Sequence, residues 1–567
     1  MKNDLFPQAL SWRVYRLVLI VGPITTLLIS PWTNYDPINL IKVLFFTTIA
    51  FFLFGIFVSN VNFFREIISK PLLLCVIGFI LFLFLPLITT QAPRNQQFWG
   101  MQGRSTGILT YFSLTIILLS ASIIKNEIKY RKIIQGLLIA VVINTVYCLI
   151  QIAKLDPVHW SEYQPFGTLG NVNFLSAFFG MSSLMFSILA LDSRISLTRK
   201  LSLLSLVILD LAIVLITQSI QGVMIYFAGS GIALFIFLAK KMKSKILNYS
   251  YLIVSTIAFI TTVLALFNKG PLKSFIFQRS IEFRSDYIHA GWAMTLANPF
   301  TGVGIDSYGD WYRTVRGFIS TNRTGPDRVA NTSHNIFLDI SSSGGIILLI
   351  FYLGILFLAF KRAFIVIKSS SKFEALPVAI FSSWLAYQIQ ACISINQVGV
   401  GVWNWILTGL LIGYPIQNEN ISNQNLNLGK KIKGKKNHKV KNTLDAKTSL
   451  TFSIFGLVGF VLAFIPWKAD VDFRSALDSK DLSRIESAAT KPGATAFHLG
   501  LAIDTAASNN YGPQAYELAQ KLIARYPRDF YGWKVLSVLT NATVQERSNA
   551  RKVLKQLDPY NPELQNP

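Results

Sequence analysis

Charge is scarce in this sequence: Asp, Glu, Lys and Arg supply 14% of 567 residues and hydrophobic side chains 52%, where a soluble domain carries roughly 25% charged residues. A mean hydropathy of +0.46 agrees. A water-soluble globule is excluded, and the apolar surface must meet lipid. Acidic residues are the scarcer sign, 28 against 53 basic ones, for a net charge of +25. That excess does not describe a nucleic-acid binder, because Lys and Arg gather in short segments flanking apolar runs, as they do in cytoplasmic loops. Cysteine is almost missing. Cys75, Cys148 and Cys392 all lie within apolar runs, which excludes a disulfide framework or a thiolate metal cluster and makes each a small core residue. Histidine is equally sparse, and His159, His289, His438 and His498 show no metal-binding spacing. No cleavable leader is evident: the first apolar run follows Arg13 and Arg16, extends about a full bilayer span and has no small-residue cleavage site after it. It is expected to be the first helix of the mature protein.

What is present is apolar length. Windows of about 17 to 23 residues place roughly thirteen spans near 14–32, 38–59, 71–90, 107–124, 133–153, 173–191, 201–218, 222–239, 250–267, 345–361, 376–394, 402–418 and 449–467. The expected fold is all-α, a polytopic transmembrane helix bundle. Its core is expected over 1–420, a basic linker over 421–448, a further span at 449–467 and a separate tail over 468–567. If the spans alternate, Arg65 and Lys70, Lys125 to Lys132, Arg194 to Lys200, Lys240 to Lys245, Arg362 to Lys372 and Lys430 to Lys447 all fall on one face. That face is expected to be the cytoplasm, with the carboxyl end outside.

Two outer segments are long enough to fold, the loop near 268–344 and the tail. In the tail, Pro492, Pro527 and Pro559 recur near the spacing of roughly 34 residues of a tetratricopeptide repeat, with Trp533 and Leu536 placed as its packing residues. Stacked helix pairs of that kind offer a surface to a protein partner. The competing reading is a small helical cap with none.

The loop carries Arg279, Arg284, Arg313, Arg316, Arg323 and Arg328 but no lysine between Phe277 and Thr332. Guanidinium groups grip phosphate oxygens in a bidentate fork that ammonium cannot match, so an all-arginine set points to a phosphate or diphosphate ligand. The competing reading is surface ion pairing with Glu282, Asp286, Asp306, Asp310 and Asp327, with Arg316 on the loop surface. His334 closes the loop in "NTSHNIFLDISSSGGIILL", at the mouth of the tenth span. A neutral imidazole there could accept a proton from an attacking hydroxyl; a helix-start histidine that only hydrogen-bonds a neighbour is the bland alternative.

His334 and Asn335, followed by Gly345, together with "GTLGNVNFLSAFF", the run from Arg284 to Trp292 leading into "NPFTGVGIDSYG", and "GRSTGILTYFSL", resemble the O-antigen ligase and polymerase family of bacterial membrane proteins. The resemblance covers about residues 15 to 415. It implies a glycosyltransferase of the bacterial inner membrane that takes a glycan from an undecaprenyl diphosphate carrier and joins it to an acceptor hydroxyl on a lipid, glycan or protein, as ligase or as polymerase. Carried over, His334 would be the base, Arg284 a diphosphate ligand, and Arg104 and Asn335 further members of the site, with no metal, nucleotide or other cofactor. Where many members have arginine between the seventh and eighth spans, this chain has Gln221, which hydrogen-bonds without charge, so Arg279 could substitute. A flippase or transporter for lipid-linked oligosaccharides is the rival from another class. It calls for ionisable groups along a membrane path, and Lys42 and Asp210 are the clearest ones within the spans.

Overall fold

Each apolar window folds as a helix. A computed structural model describes residues 8–160, 164–242, 244–277, 279–416 and 445–565, all helix, turn and loop with no strand among them. The lysine-rich run expected at 430–447 lies outside the described residues up to 444. Among the described residues, eight helices are long and apolar enough to cross a membrane on their own: Asn39–Ser59, Lys70–Thr89, Glu127–Ile152, Val172–Ala190, Ile220–Lys241, Lys245–Leu266, Ile336–Ser369 and Ala446–Ser479. Gln8–Leu27, Ile108–Ser122, Leu197–Ile216, Ala375–Ala391 and Val398–Gly413 fill the remaining windows. The chain is an all-helical, multi-pass membrane protein.

Helix starts are set by short polar side chains. Asn126, Asn171, Ser196, Ser244 and Asn335 each accept a backbone N–H from the first turn that follows. The basic clusters converge on one end of the bundle. Arg131 pairs with Asp192 at 2.9 Å, Lys240 donates to the Ser370 carbonyl, and Arg362 to that of Tyr414, whose hydroxyl reaches Glu127. The opposite end carries the loop domain and the tail.

Lys42 and Asp210 are both buried inside the bundle. Lys42 is fully buried and its ammonium donates to the carbonyls of Thr25, Thr26 and Leu28, closing the carboxyl end of the first helix. Asp210 accepts from the Thr145 hydroxyl at 2.6 Å. Among the described residues neither forms a chain of ionisable groups through the bundle. Cys75 is half-buried and Cys148 buried, but Cys392 is exposed where the 375–391 helix ends at the loop end, so it is not the core residue its apolar surroundings imply.

The tenth span is broken at its mouth. Gly345 has φ 86° and ψ 167° inside Ile336–Ser369, conformational space that is essentially glycine's alone. The break frees a stretch of backbone that the loop fills: Val303 and Gly304 donate to the carbonyls of Ser342 and Ser343, and Ile346 donates to that of Pro299. A Cβ on Gly302 would lie 2.3 Å from the Ser343 carbonyl carbon, and one on Gly345 2.4 Å from that of Phe300. The "NPFTGVG" segment is thus stitched to the helix by backbone alone.

The last span packs on the second one through small residues. A Cβ at Gly55 would meet the Thr451 carbonyl at 2.6 Å, and Gly456 and Gly459 give way to the rings of Phe52 and Phe51. This helix then runs unbroken to Ser479, 34 residues or about 50 Å, well beyond a hydrocarbon core of roughly 30 Å. The tail continues from it as short helices, Leu482–Thr490, Ala496–Ser508, Gly512–Arg525, Phe530–Val538, Val544–Leu557 and Pro562–Gln565, around an apolar core that includes Phe473, Leu499, Leu518 and Leu536.

Candidate active site at the loop end

Three segments meet at the mouth of the broken helix: the turn at 100–107, the loop helix Arg279–Ala297, and the strap 331–335 that leads into Ile336–Ser369. Asp306 organises the first. Its Oδ2 accepts the N–H groups of Met101 and Thr106 at 2.8 and 3.2 Å, and its Oδ1 lies 3.6 Å from Nε of Arg104. Asp339, one turn into the long helix, holds the strap by accepting from the Ser333 N–H and hydroxyl and the Thr332 hydroxyl, at 2.7, 2.8 and 2.6 Å. Arg104 lies between these two carboxylates, 3.9 Å from Asp339 and only 8% exposed. Its contacts are longer than a charge-assisted hydrogen bond of about 2.7–2.9 Å, and its Nε has no hydrogen-bond partner. A small cavity of about 30 Å³ adjoins it, walled by Tyr111, Tyr308, Asn331 and Ser343. The guanidinium is placed but not saturated, which leaves donors for an anionic oxygen.

His334 is held in a conformation few residues choose. Its φ is +55°, and Ser105 and Asp306, the other two backbone anchors of the site, share the left-handed region at +54° and +53°. Three such residues in the segments that build the site are a local cost of order 1–3 kcal/mol each that the surroundings must sustain, a pattern found at functional sites. The His334 N–H donates to the Thr332 hydroxyl, and its ring lies 5.2 Å from that of Tyr287, tilted by 30°. Neither ring nitrogen has a hydrogen-bond partner among the described residues. Burial, and then the positive charges of Arg284 and Arg104, push its pKa down to about 3. The free protein therefore holds His334 neutral with a ring lone pair unengaged, and both arginines are close enough to act on it.

Arg284 lies one turn before Tyr287 on the loop helix. It has no ion-pair partner among the described residues, and burial lowers the pKa of its guanidinium, which nonetheless stays charged. The other loop arginines whose side chains are described are engaged. Arg323 faces Glu282 and Asp286 at 3.5 and 3.6 Å, and Arg328 lies over the Phe283 ring. Arg313 and Arg316 reach into the tail, where Asp558 accepts from both; Arg316 makes a two-pronged contact at 2.5 and 3.2 Å with both side chains fully buried. The surface position expected for Arg316 is thus replaced by a buried inter-segment pair, with a partner 242 residues away in sequence.

The other sequence candidates are placed as follows. Asn335 caps the long helix through Leu338 N–H and donates to the Cys392 carbonyl at 3.0 Å. Gln221 opens the 220–241 helix, 2% exposed, with neither amide atom hydrogen-bonded; beside it Gly222 N–H donates to Ser176. Arg279 opens the loop helix, and its side chain lies outside what is described. Asp306 and Asp339 entered the sequence reading as an ion-pair partner and not at all. Their only local signal is Asp339's position in the first turn after an Asn cap, a place that favours carboxylates.

A multi-pass helical membrane protein with a cationic, histidine-bearing site at the mouth of a broken span is what the fold and geometry define. Residues 205–353 match the sequence family described as O-Antigen ligase, a stretch that holds Gln221, Arg279, Arg284, His334, Asn335 and Gly345 but neither Arg104 nor the tail. The match supports a membrane glycan-transfer function in general. No curated protein matches the chain.

Proposed function

We propose that the chain is a glycosyltransferase that moves a glycan from an undecaprenyl diphosphate carrier to an acceptor hydroxyl at the loop end, which faces out of the bacterial inner membrane. The observation that carries this reading is the meeting, at the mouth of the broken span, of Arg104, placed but unsaturated between Asp306 and Asp339, with His334, whose ring nitrogens are unengaged and whose ring lies beside Tyr287 on the Arg284 helix. The diphosphate lies against the arginines; the acceptor oxygen attacks the anomeric carbon; the sugar–phosphate C–O bond breaks with its electron pair passing to the lipid diphosphate; and the acceptor proton goes to His334. The arginines neutralise the charge that grows on the leaving group. A pKa near 3 is low for a base, but part of that depression comes from the two arginines, and a bound diphosphate cancels their field. Donor binding therefore relieves the arginines' share of the depression, while burial, its larger cause, persists. The tail fits a tetratricopeptide-like stack, and ligase and polymerase remain two forms of this one reaction.

The test is Arg284→Lys with undecaprenyl diphosphate in nanodiscs. The lysine variant keeps the charge but loses the fork, so donor affinity and transfer should both fall by about tenfold or more, the size of one charge-assisted contact. Wild-type affinity in this variant removes Arg284 as a diphosphate ligand and with it the proposed arrangement.

A further inference from the structure

A second, larger cavity lies on the other side of the 100–107 turn. It measures about 670 Å³ and is bounded by the start of the second span, the 94–107 segment and the tail helices at 496–508 and 530–538. Its size falls within the roughly 300–1,000 Å³ of small-molecule sites. Unlike the Arg104 pocket, it has no cationic side chain in its lining. Among the described residues that line it there are four carboxylates, Asp36, Asp310, Asp504 and Asp529, and no lysine or arginine, in a chain of net charge +25. Aromatic faces come from both sides: Tyr35 and Trp99 from the membrane core, Phe497 and Tyr531 from the tail. Tyr35 and Phe497 meet across the cleft at 5.2 Å, and Phe497 is 39% exposed. Asn331 borders both cavities, and Ser105 brings the cleft to the residue beside Arg104.

We infer that this cleft between core and tail binds the acceptor, a saccharide, so that the tail is one wall of the acceptor site. The inference rests on the transferase reading above. Sugar rings offer a C–H face that aromatic rings cover and a rim of hydroxyl donors that carboxylates accept. A lysine- and arginine-free cleft offers a diphosphate no cationic partner, whereas Arg284 and Arg104 do. Donor and acceptor thus approach from opposite sides of the 100–107 turn and share Asn331.

Cleft blocking tests this without knowledge of the sugar. In a Cys392→Ser background, Gly500→Cys places a thiol in the cleft; a Cβ there comes only to ordinary contact, 3.7 Å from the Tyr531 ring. Asp504→Cys is the second variant. Membranes of the source cell supply donor and acceptor, and each variant is compared before and after labelling with a bulky impermeant maleimide, beside the background protein labelled in the same way. Labelling should abolish transfer while binding of undecaprenyl diphosphate to the purified protein stays as it was. Transfer that survives full labelling of both variants overturns the inference, and so does loss of undecaprenyl diphosphate binding on labelling, which would make the cleft part of the donor site. Failure of the transferase reading looks different: the unlabelled protein then neither transfers glycan nor binds undecaprenyl diphosphate, and the acceptor assignment falls with it.

Discussion

Asparagine is the residue other than glycine that best tolerates a φ of +55°, which makes His334→Asn a cleaner substitution than alanine. It keeps the strap's backbone and removes the imidazole. Transfer should drop by a factor of about 10² to 10⁴, the usual cost of a lost base, with expression and undecaprenyl diphosphate binding retained; a wild-type rate would reduce His334 to a strap anchor. The same variant reads out the buried ring by pH. With a pKa near 3 in the folded protein against about 6.5 unfolded, the unfolded chain takes up a proton between those values and the folded chain does not. Stability is therefore lost as pH falls from about 6.5 towards 3. Thermal unfolding midpoints between pH 7 and 4 should decline more steeply in wild type than in His334→Asn, and parallel curves would contradict the burial of the ring. At this scale the sequence was partly legible. His334, Arg284 and Arg104 could be singled out by type and position, whereas Asp306 and Asp339 could not, because their importance lies in backbone N–H groups they collect from segments remote in sequence.

Helices were legible because lipid demands apolar length, and each of the thirteen windows falls on a helix. The tenth shows what hydropathy resolves and what it leaves hidden. Its window opens at 345, where the regular helix resumes after Gly345, but the nine residues from Ile336 to Gly344 that form its outer turn are too polar to register. The reason for Gly345 is likewise invisible in one dimension, since it is the approach of the Phe300 backbone that leaves no room for a Cβ. Gly345→Ala should destabilise the seat of the loop by about 2 kcal/mol or more, from a φ/ψ pair nearly closed to alanine with a backbone clash added. Hydrogen exchange at Val303, Gly304 and Ile346, whose N–H groups close the seam, should rise in that variant and stay slow in the neighbouring Gly344→Ala only if its Cβ, 2.2 Å from the flexible Leu348 tip, is absorbed by side-chain motion. Unchanged exchange in Gly345→Ala would mean the seam does not depend on the glycine.

For the molecule as a whole, the tail is fastened to the loop domain and not simply suspended outside the bundle. Besides the Asp558 contacts, Arg528 stacks 3.6 Å over Trp311 and donates to Thr314, and Asp470 on the long final helix collects Asn34, Tyr35, Asp36, Gln102 and His498. Arg316→Ala leaves Asp558 as a buried charge with Arg313 alone, and breaking such pairs costs about 3–5 kcal/mol. Limited proteolysis should then cleave between 313 and 330 or within the tail under conditions where wild type resists, and equal resistance would mean that the pair does not hold the two parts together. The tail's helical, repeat-like spacing can be read from its prolines, but a contact between residues 316 and 558 leaves no mark in local pattern or periodicity.

That contact also sets an order of events in the making of the protein. At about 5–20 residues per second, a ribosome that has finished Arg316 needs on the order of tens of seconds before Asp558 follows. On the proposed orientation the loop domain spends that interval across the bilayer with Arg316 unmatched and the cleft missing its tail side. A newly inserted chain thus lacks the Arg316 partner and one cleft wall until Asp558 is delivered, which separates insertion from completion of the proposed site in time.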